Sequence, residues 1–299
     1  LIMYKLKSKK AKTLPFNVRI ETYCRGLFDE LPSNKSVKKA VVKGVIRVNG
    51  RKIPSSYFVK EGDEIELWDM EIKAPLSYEM KLNVVYEDDY LAIVNKPSGL
   101  PTSGNLYRTL ENAIQGKLTK AKINPLKWPK PVHRLDVSTS GLVIVAKSIE
   151  ARVKLGKMLE NRSIEKTYEA LLSGRLERDK SIEFPIDGKD ALTEVFIIDS
   201  KKSLNNGCIT KVMMKPVTGR THQLRKHSAL IKHPIIGDKE YGEKGNVLLH
   251  KGLFLCAVRL RFTHPITAIE LDVKIDSPEK FDKLMEREHR RYLKFRGVG

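Results

Sequence analysis

The sequence predicts an α+β protein, with a small mixed module ahead of a larger domain built on a large mixed, mostly antiparallel sheet with flanking helices. Two observations predict this class. The first quarter of the chain shows helical spacing followed by a hairpin signal, whereas the remainder contains many short apolar runs and few long helical patterns. The strand–helix rhythm and glycine-rich phosphate loop of nucleotide-binding folds are absent from the sequence, so use of ATP or NAD is not expected.

The composition indicates an anionic partner. Lysine and arginine number 56 against 36 aspartate and glutamate, a formal net charge of +20. This excess favours nucleic acid over an anionic membrane surface. No run of about 18 apolar residues occurs, so no membrane-spanning helix is predicted. The three cysteines are far apart without a C-x-x-C pair, so we expect neither disulfides nor a metal site, and a cytoplasmic location.

The first module follows from local patterns. Residues 1–18 are rich in lysine and aperiodic, which predicts a flexible basic arm. Apolar residues spaced three and four apart predict a helix over 20–31, and a second short helix is expected over 37–43. Asn49-Gly50 after a β-branched run is a hairpin turn signal. An alternating strand around residues 65–67 closes the module.

This order of two helices, a strand ending in Val48-Asn49-Gly50, and Gly62-Asp63 before a further strand resembles the S4 RNA-binding domain. The resemblance covers about residues 19–69 and defines an S4-like module of residues 19–72. It implies that the helical pair and the hairpin face RNA. The basic residues expected to contact phosphates are Lys35, Lys38, Lys39, Lys43, Arg47, Arg51 and Lys52.

A linker is predicted over residues 73–80, followed by the larger domain over 81–285. Its apolar runs include residues 142–146, the pattern of a strand buried on both faces. Residues 286–299 form a basic tail, which we interpret either as an additional RNA-contacting helix or as a solvated end.

The most informative motif precedes that buried strand. His133-Arg134-Leu135-Asp136 sets one carboxylate between an arginine and a polar turn. An aspartate in such a loop is commonly a turn residue that bonds nearby backbone N–H groups. A fixed carboxylate among cations also suits a nucleophile or a general base acting on a polyanion.

Four segments of this domain together resemble the RluA-type pseudouridine synthases. The segments are Asn95–Leu100, His133–Leu142, Lys166–Ala170 and Gly219–His227, the last followed by Pro234–Asp238, Tyr241-Gly242 and Leu249-His250. The resemblance implies isomerisation of uridine to pseudouridine in structured RNA, with no cofactor and no metal. The stretch Pro101–Gly104 departs from the family pattern and is expected to alter a loop near the RNA.

The resemblance also implies catalytic roles. Asp136 is the expected nucleophile or base. Arg225 is expected to pair with it and keep it ionised, on a helix that begins near Thr221. Tyr168 is expected to lie against the target base and to help remove its C5 proton.

Further roles concern the substrate. Leu224 is the expected apolar floor of the pocket, and Arg134 is expected to enter the space that a flipped uridine vacates. Lys96 and Arg220 are expected to hold flanking phosphates. The histidines, His133, His222, His227 and His264, are expected to make structural hydrogen bonds.

The residues leave the RNA target open. Relatives with this layout mostly act on large-subunit ribosomal RNA, so that RNA or its precursor particle is the expected partner, and transfer RNA is the alternative. A different class of function is a non-catalytic S4-containing RNA-binding or ribosome-assembly factor. A monomer is expected.

Overall fold

The computed structural model describes residues 3–12, 16–28, 30–31, 33–70, 75–242 and 251–296. The chain divides into two compact units, Leu1–Ala74 and Pro75–Gly299. This division falls inside the stretch predicted as a linker. Among the described residues, no helix is both long enough and apolar enough to cross a membrane.

The first unit contains six strands and two short helices in its described part. They are β1 (Met3–Lys10), β2 (Val18–Arg19), α1 (Ile20–Tyr23), α2 (Asn34–Val42), β3 (Ile46–Val48), β4 (Arg51–Lys52), β5 (Phe58–Val59) and β6 (Glu64–Met70). One antiparallel sheet has the order β1-β6-β3-β4, and β2 pairs with β5. The Asn49-Gly50 turn joins β3 to β4, as the sequence predicted.

The prediction of a flexible arm over residues 1–18 is wrong for its first half. Residues 3–10 form β1, which pairs antiparallel with β6. The Lys5 ammonium lies 3.2 Å from Glu64 and 3.0 Å from Glu66 of that strand, and the Lys7 ammonium lies 2.8 Å from Glu30. The lysine-rich composition therefore fits a paired edge strand as well as it fits a solvated arm.

The two helices also differ from their predicted bounds. The first ends at Tyr23, and the buried side chains of Cys24, Phe28 and Leu31 continue its apolar pattern through turns. The second begins at Asn34, because the Ser33 hydroxyl accepts a hydrogen bond from the Ser36 backbone N–H at 3.2 Å. The long-range packing of this small core, more than helical propensity, fixes these segments.

The second unit has ten strands and four helices in its described part. They are β7 (Asn83–Glu87), β8 (Leu91–Lys96), α3 (Leu110–Ala113), β9 (Pro125–Pro131), β10 (Ser140–Ser148), α4 (Ile149–Glu160), β11 (Glu165–Ser173), β12 (Lys180–Glu183), β13 (Leu192–Ser203), β14 (Gly207–Pro216), α5 (Gln223–Leu230), β15 (Leu255–Thr263), β16 (Glu270–Lys274) and α6 (Lys280–Arg296).

All ten strands belong to one sheet, of order β12-β13-β14-β11-β15-β10-β8-β7, with β16 on β15 and β9 on β10. Every pair is antiparallel except β10 with β15. The prediction of a large, mixed, mostly antiparallel sheet is confirmed. Residues 142–146 are completely buried at its centre, as their continuous apolar run predicted.

The parallel contact positions the loop before β10. Ser140 and Gly141 lie opposite Cys256 and Ala257. A Cβ on Gly141 would come within 2.3 Å of the Ala257 carbonyl oxygen, so only glycine permits this approach. The loop that carries Asp136 is therefore anchored against β15 by a backbone-to-backbone contact.

The predicted division into a domain ending at residue 285 and a tail from 286 is wrong. Helix α6 runs continuously from Lys280 to Arg296, and it buries Phe281, Leu284 and Met285. Glu288 lies beyond the predicted boundary, is 3% exposed and is paired with Arg291 at 3.1 Å. The basic residues of the tail thus occupy the last turns of a packed helix.

Candidate active site

A cavity of about 470 Å³ opens at one end of the large sheet. Its volume lies within the range of roughly 300–1,000 Å³ that small-molecule sites occupy. Loop residues before β10, one face of β11, and the segment from the end of β14 into α5 surround it. The lining residues used below are Arg134, Asp136, Lys166, Tyr168, Arg220, His222, Leu224, Arg225 and Leu255.

The Asp136 loop is held by its neighbours on both sides. Leu135 is buried, and the Thr102 hydroxyl both accepts from the Leu135 N–H at 3.1 Å and donates to the Leu135 carbonyl at 3.0 Å. The Thr139 N–H donates to the Asp136 carbonyl at 3.1 Å. Thr102 belongs to the stretch Pro101–Gly104, which departs from the family pattern. A residue of this stretch therefore supports the Asp136 loop. The Asp136 side chain remains 26% exposed in the cavity.

Arg225 lies beside Asp136, but its closest partner is another carboxylate. Its Nη1 is 3.6 Å from Asp136 Oδ2. Its Nε and Nη2 donate to the two oxygens of Asp238 at 2.7 and 2.8 Å, and Nη2 also donates to Glu240 at 3.1 Å. The Tyr241 ring lies 4.9 Å from the guanidinium carbon. The sequence predicted the neighbourhood of Arg225 and Asp136 and assigned no role to Asp238.

Asp238 anchors this arrangement. It is buried, and it accepts hydrogen bonds from the backbone N–H groups of Glu240 and Tyr241 at 3.0 and 3.1 Å. Burial alone would raise the pKa of Asp238, but the hydrogen bonds from Arg225 and from these N–H groups outweigh it and lower that pKa. For Arg225, burial opposes the charged form, yet its bonds to Asp238 raise its pKa. The guanidinium is therefore a permanent, oriented positive charge beside Asp136.

The helix that carries Arg225 begins later than the sequence predicted. Helix α5 starts at Gln223, and its N-cap is His222, not Thr221. His222 has a left-handed backbone conformation, with φ of +55°. Its Nε2 lies 3.6 Å from Asp136 Oδ1, so this histidine belongs to the site.

The other three histidines, His133, His227 and His264, make structural hydrogen bonds, as the sequence predicted. His133 Nε2 accepts from the Ile144 N–H at 3.1 Å, and burial lowers the pKa of His133 to about 3, with the Lys166 charge adding to the effect. His227 bonds Thr193 and the Phe184 carbonyl.

Tyr168 and Leu224 form an apolar wall of the cavity. Both belong to the same apolar cluster, which Leu255 extends. Burial raises the pKa of Tyr168, and the negative charge of Asp136 adds to this shift. The phenol therefore retains its proton at neutral pH, which leaves an O–H donor and an apolar ring face among the residues that line the cavity.

Lys96 does not fit its predicted role as a phosphate contact. Its side chain is completely buried, and its ammonium donates to the carbonyls of Pro97, Leu100 and Val137 at 3.0, 2.8 and 3.4 Å. Burial lowers the pKa of Lys96 to about 8, while the Asp136 charge opposes that shift. A phosphate has no access to this group. Lys96 instead ties the turn after β8 to the residue that follows Asp136.

Besides Arg225, the described residues that line the cavity include the cationic side chains Arg134, Lys166 and Arg220. Arg134 is exposed, and Arg220 donates from Nε to the Asp190 carbonyl at 3.0 Å. Lys166 begins the motif Lys166–Ala170, and the sequence predicted no role for it. Within the ranges that the structure describes, neither Arg134 nor Lys166 pairs with a carboxylate. Leu249-His250 lies outside the described residues.

Comparisons with known proteins identify the family. The model of the RNA pseudouridylate synthase family matches residues 90–230. An uncharacterized RNA pseudouridine synthase of Aquifex aeolicus is 32% identical over 281 residues, which cover 83% of this chain and 87% of that protein. The ribosomal large subunit pseudouridine synthase C of Rickettsia felis is 31% identical over 302 residues, covering 91% and 97%.

A solved structure shares the fold. Human RNA Pseudouridylate Synthase Domain Containing 1 superimposes with a TM-score of 0.55 at 23% identity, covering 69% of this chain and 95% of that one. Its likeness concerns the architecture alone, whereas the bacterial relatives match across most of both chains. The resemblance read from the four motifs is confirmed, and the chain belongs to the RNA pseudouridine synthase family as an RluA-type member, an enzyme that isomerises uridine in RNA.

Proposed function

We propose that Asp136 is the nucleophile or general base that isomerises a uridine of large-subunit ribosomal RNA. The observation that carries this proposal is the setting of Asp136. It is a partly exposed carboxylate in a cavity, with Arg225 3.6 Å from one oxygen and His222 3.6 Å from the other. A carboxylate enclosed with a uracil ring loses solvation, and a fixed guanidinium offsets that loss by favouring the ionised form.

The reaction requires the N-glycosidic bond of uridine to break, the uracil to rotate, and its C5 to bond to C1′ of the ribose. The C5 proton leaves and a proton returns to N1, so no redox equivalent is consumed. A uridine in folded RNA reaches Asp136 only after leaving its stack, at a cost of a few kcal/mol. Stacking on Tyr168 returns about 1–3 kcal/mol, with Leu224 beneath the ring.

The cations at the cavity rim suit the rest of the nucleotide. Arg134 is exposed beside Asp136, which supports its insertion into the space left by the flipped base. Lys166 and Arg220 line the same cavity and suit the flanking phosphates. Since Asp238 holds Arg225 rigidly, Arg225 contributes a fixed charge and needs no rearrangement at the moment of reaction.

Large-subunit ribosomal RNA is proposed from the names of relatives. Those from Rickettsia felis and Vibrio cholerae are called ribosomal large subunit pseudouridine synthases C and D. Such a substrate would place the enzyme in the cytoplasm. We propose in addition that a monomer is active, which light scattering during size-exclusion chromatography checks.

The first unit is proposed to bind RNA as an S4-like module. The lysines of α2 and its C-terminus are exposed, as are the two basic residues of β4. Arg47 lies between them, with its guanidinium carbon 4.5 Å from the Trp68 ring centroid. The exposed basic residues are Lys35, Lys38, Lys39, Lys43, Arg51 and Lys52. Exposed cations clustered on one module suit contacts to successive phosphates.

The test is release of tritium from RNA labelled at uracil C5. The wild-type protein should release label from large-subunit ribosomal RNA fragments, and Asp136→Asn should release none. Asp187→Asn is the matched control, because it removes the same charge from an exposed residue whose partner is Lys226. Full activity in Asp136→Asn would refute the assignment.

Two further outcomes separate the alternatives. Wild-type protein that binds structured RNA and releases no label would favour the non-catalytic binding factor. Release from transfer RNA and none from ribosomal RNA fragments or precursor particles would refute the proposed substrate while keeping the chemistry.

A further inference from the structure

His222 differs from the N-cap residues of three other helices in the described part of the chain. Helices α2, α3 and α4 are capped by Ser33, Thr109 and Ser148, whose side chains each accept a backbone N–H of the first turn. His222 occupies the same position at α5 and makes no such bond. Its left-handed backbone is uncommon for a residue other than glycine, although histidine is among the residues that adopt it more often.

The side chain of His222 is instead directed at the Asp136 carboxylate. Its Nε2 lies 3.6 Å from Asp136 Oδ1. Its Nδ1 lies 3.0 Å from the Tyr241 hydroxyl and 3.4 Å from Glu240 Oε2. The Tyr241 ring stands edge-on to the imidazole, with centroids 5.7 Å apart. The imidazole is therefore held from behind by one loop and faces the carboxylate in front.

That same loop holds Arg225. Glu240 accepts from Arg225 Nη2 at 3.1 Å, and the Tyr241 ring lies against the guanidinium. Both groups that approach Asp136 thus rest on residues 238–241. Arg225 approaches one carboxylate oxygen and His222 approaches the other, so the two oxygens have different neighbours.

We infer that His222 is a positioning residue that holds Oδ1 of Asp136 through its Nε2–H, so that Oδ2 faces the nucleotide beside Arg225. The inference rests on the proposed role of Asp136. Catalytic hydrogen bonds commonly shorten only with substrate in place, and a movement of less than about 1 Å would convert the 3.6 Å approach into a hydrogen bond. Holding both oxygens fixes the plane of the carboxylate relative to the sugar.

The charged and titratable groups that the structure places against the imidazole are Asp136, Glu240 and Tyr241, and Arg225 bonds the same Glu240. Burial raises the pKa of Tyr241 to about 12, and its bond to Glu240 adds to that effect. The phenol therefore keeps its proton around neutral pH and remains a fixed neighbour of Nδ1. Misplacing a reacting group by about 1 Å is enough to cost roughly 100-fold in rate.

The experiment compares three substitutions of His222. A glutamine reaches as far as Nε2 and carries an N–H there, whereas an asparagine accepts the left-handed backbone but stops near Nδ1. Single-turnover tritium release should fall roughly 100-fold in His222→Asn and His222→Ala, and by less than about 10-fold in His222→Gln. The Kd for RNA should stay within about twofold of wild type, because binding does not depend on the carboxylate plane.

Two additions make the result specific. Imidazole in the buffer should restore release in His222→Ala, which a purely structural role would not allow. His233→Gln is the control, since His233 bonds the Ser173 carbonyl and does not line the cavity. Equal losses in the glutamine and asparagine variants, or full activity in all three, would overturn the inference. Failure of the proposed function looks different, because then the wild type itself releases no tritium or Asp136→Asn retains full activity.

Discussion

Removing the Arg225 side chain tests the physical basis of the site most directly. Arg225→Met keeps much of the side-chain length and apolar packing and removes the charge. The Asp238 side chain has no exposed surface, so the substitution leaves a buried carboxylate with two backbone N–H donors and no counter-charge. Breaking a buried ion pair in this way costs about 3–5 kcal/mol.

The loss should depend on pH in a defined direction. The folded-state pKa of Asp238 lies below its ordinary value of 3.8, so its contribution to stability is present above that value and is lost as the pH falls through the folded pKa. Without Arg225, burial dominates and raises that pKa. The deficit of the variant should therefore be largest at neutral pH, begin to shrink as the pH falls through that raised pKa, and be smallest below the folded-state pKa of Asp238 in the wild type.

Urea unfolding followed by the fluorescence of Trp128 measures this deficit. The chain has two tryptophans, so a Trp68→Phe background leaves a single reporter, in the second unit. Lys226→Met is the matched control on the same helix. Its ion pair with Asp187 is largely exposed and should be worth less than about 1 kcal/mol.

The result expected in heat denaturation is a Tm lower by about 6–20 °C for Arg225→Met, for a unit of this size. Adding Asp238→Asn to Arg225→Met should recover part of the stability, because it removes the unpaired charge. A loss no larger than that of the control, or a deficit that grows as the pH falls, would refute the argument that Asp238 depends on Arg225.

Three further predictions follow from the packing and the charges. Gly237→Ala should cost about 3–5 kcal/mol in unfolding experiments, because φ is +80° and the new Cβ would meet a backbone oxygen at 2.0 Å. The control Gly99→Ala, with φ of +85° and open space around the new Cβ, should cost only about 1–2 kcal/mol. Equal costs for the two substitutions would contradict this prediction. Folding lowers the pKa of Lys96 to about 8 from 10.5, so between these two pH values the unfolded chain binds more protons than the folded one. The free energy of unfolding of wild type should therefore rise by about 3 kcal/mol relative to Lys96→Met as the pH rises through this range. Urea unfolding measures this difference. If the free energies of unfolding of the two proteins change by the same amount between pH 8 and pH 10.5, that account is wrong. Lys38→Gln combined with Lys39→Gln should lower the slope of log K against log salt for RNA binding by about 2, and an unchanged slope in filter binding would argue against RNA contact by α2.

Local signals account for the parts of the structure that were predicted correctly. The continuous apolar run of residues 142–146 indicates a strand buried on both faces, and Asn49-Gly50 specifies a hairpin by backbone conformation alone. The motif containing Asp136 and the string containing Arg225 are long enough to be matched to a family without coordinates. These features are encoded by residues that are adjacent in the sequence, so they can be recognised from the sequence alone.

The errors share a different cause. Lys5 of β1 pairs with two glutamates more than 50 residues away, and Lys7 pairs with Glu30, so the lysine-rich composition alone resembled that of a solvated arm. Lys96 resembled a phosphate contact because lysines are usually exposed, yet the fold surrounds it with three carbonyl groups. In both cases the partner lies far away in sequence or is a backbone group that no side-chain pattern records.

The sequence by itself determined the family and the reaction, and it indicated Asp136 as the candidate nucleophile or base, because these depend on which residues stand in which order. Only the tertiary structure decided how the carboxylate is held. It placed Asp238 and Glu240 behind Arg225, and it turned His222 toward the second oxygen. The physical reason is that the sheet order brings His222 and Arg225 to Asp136, over 80 positions away, and a loop brings Asp238 and Glu240 back to Arg225 from 13 and 15 positions away. Neither kind of contact leaves a local periodicity to read.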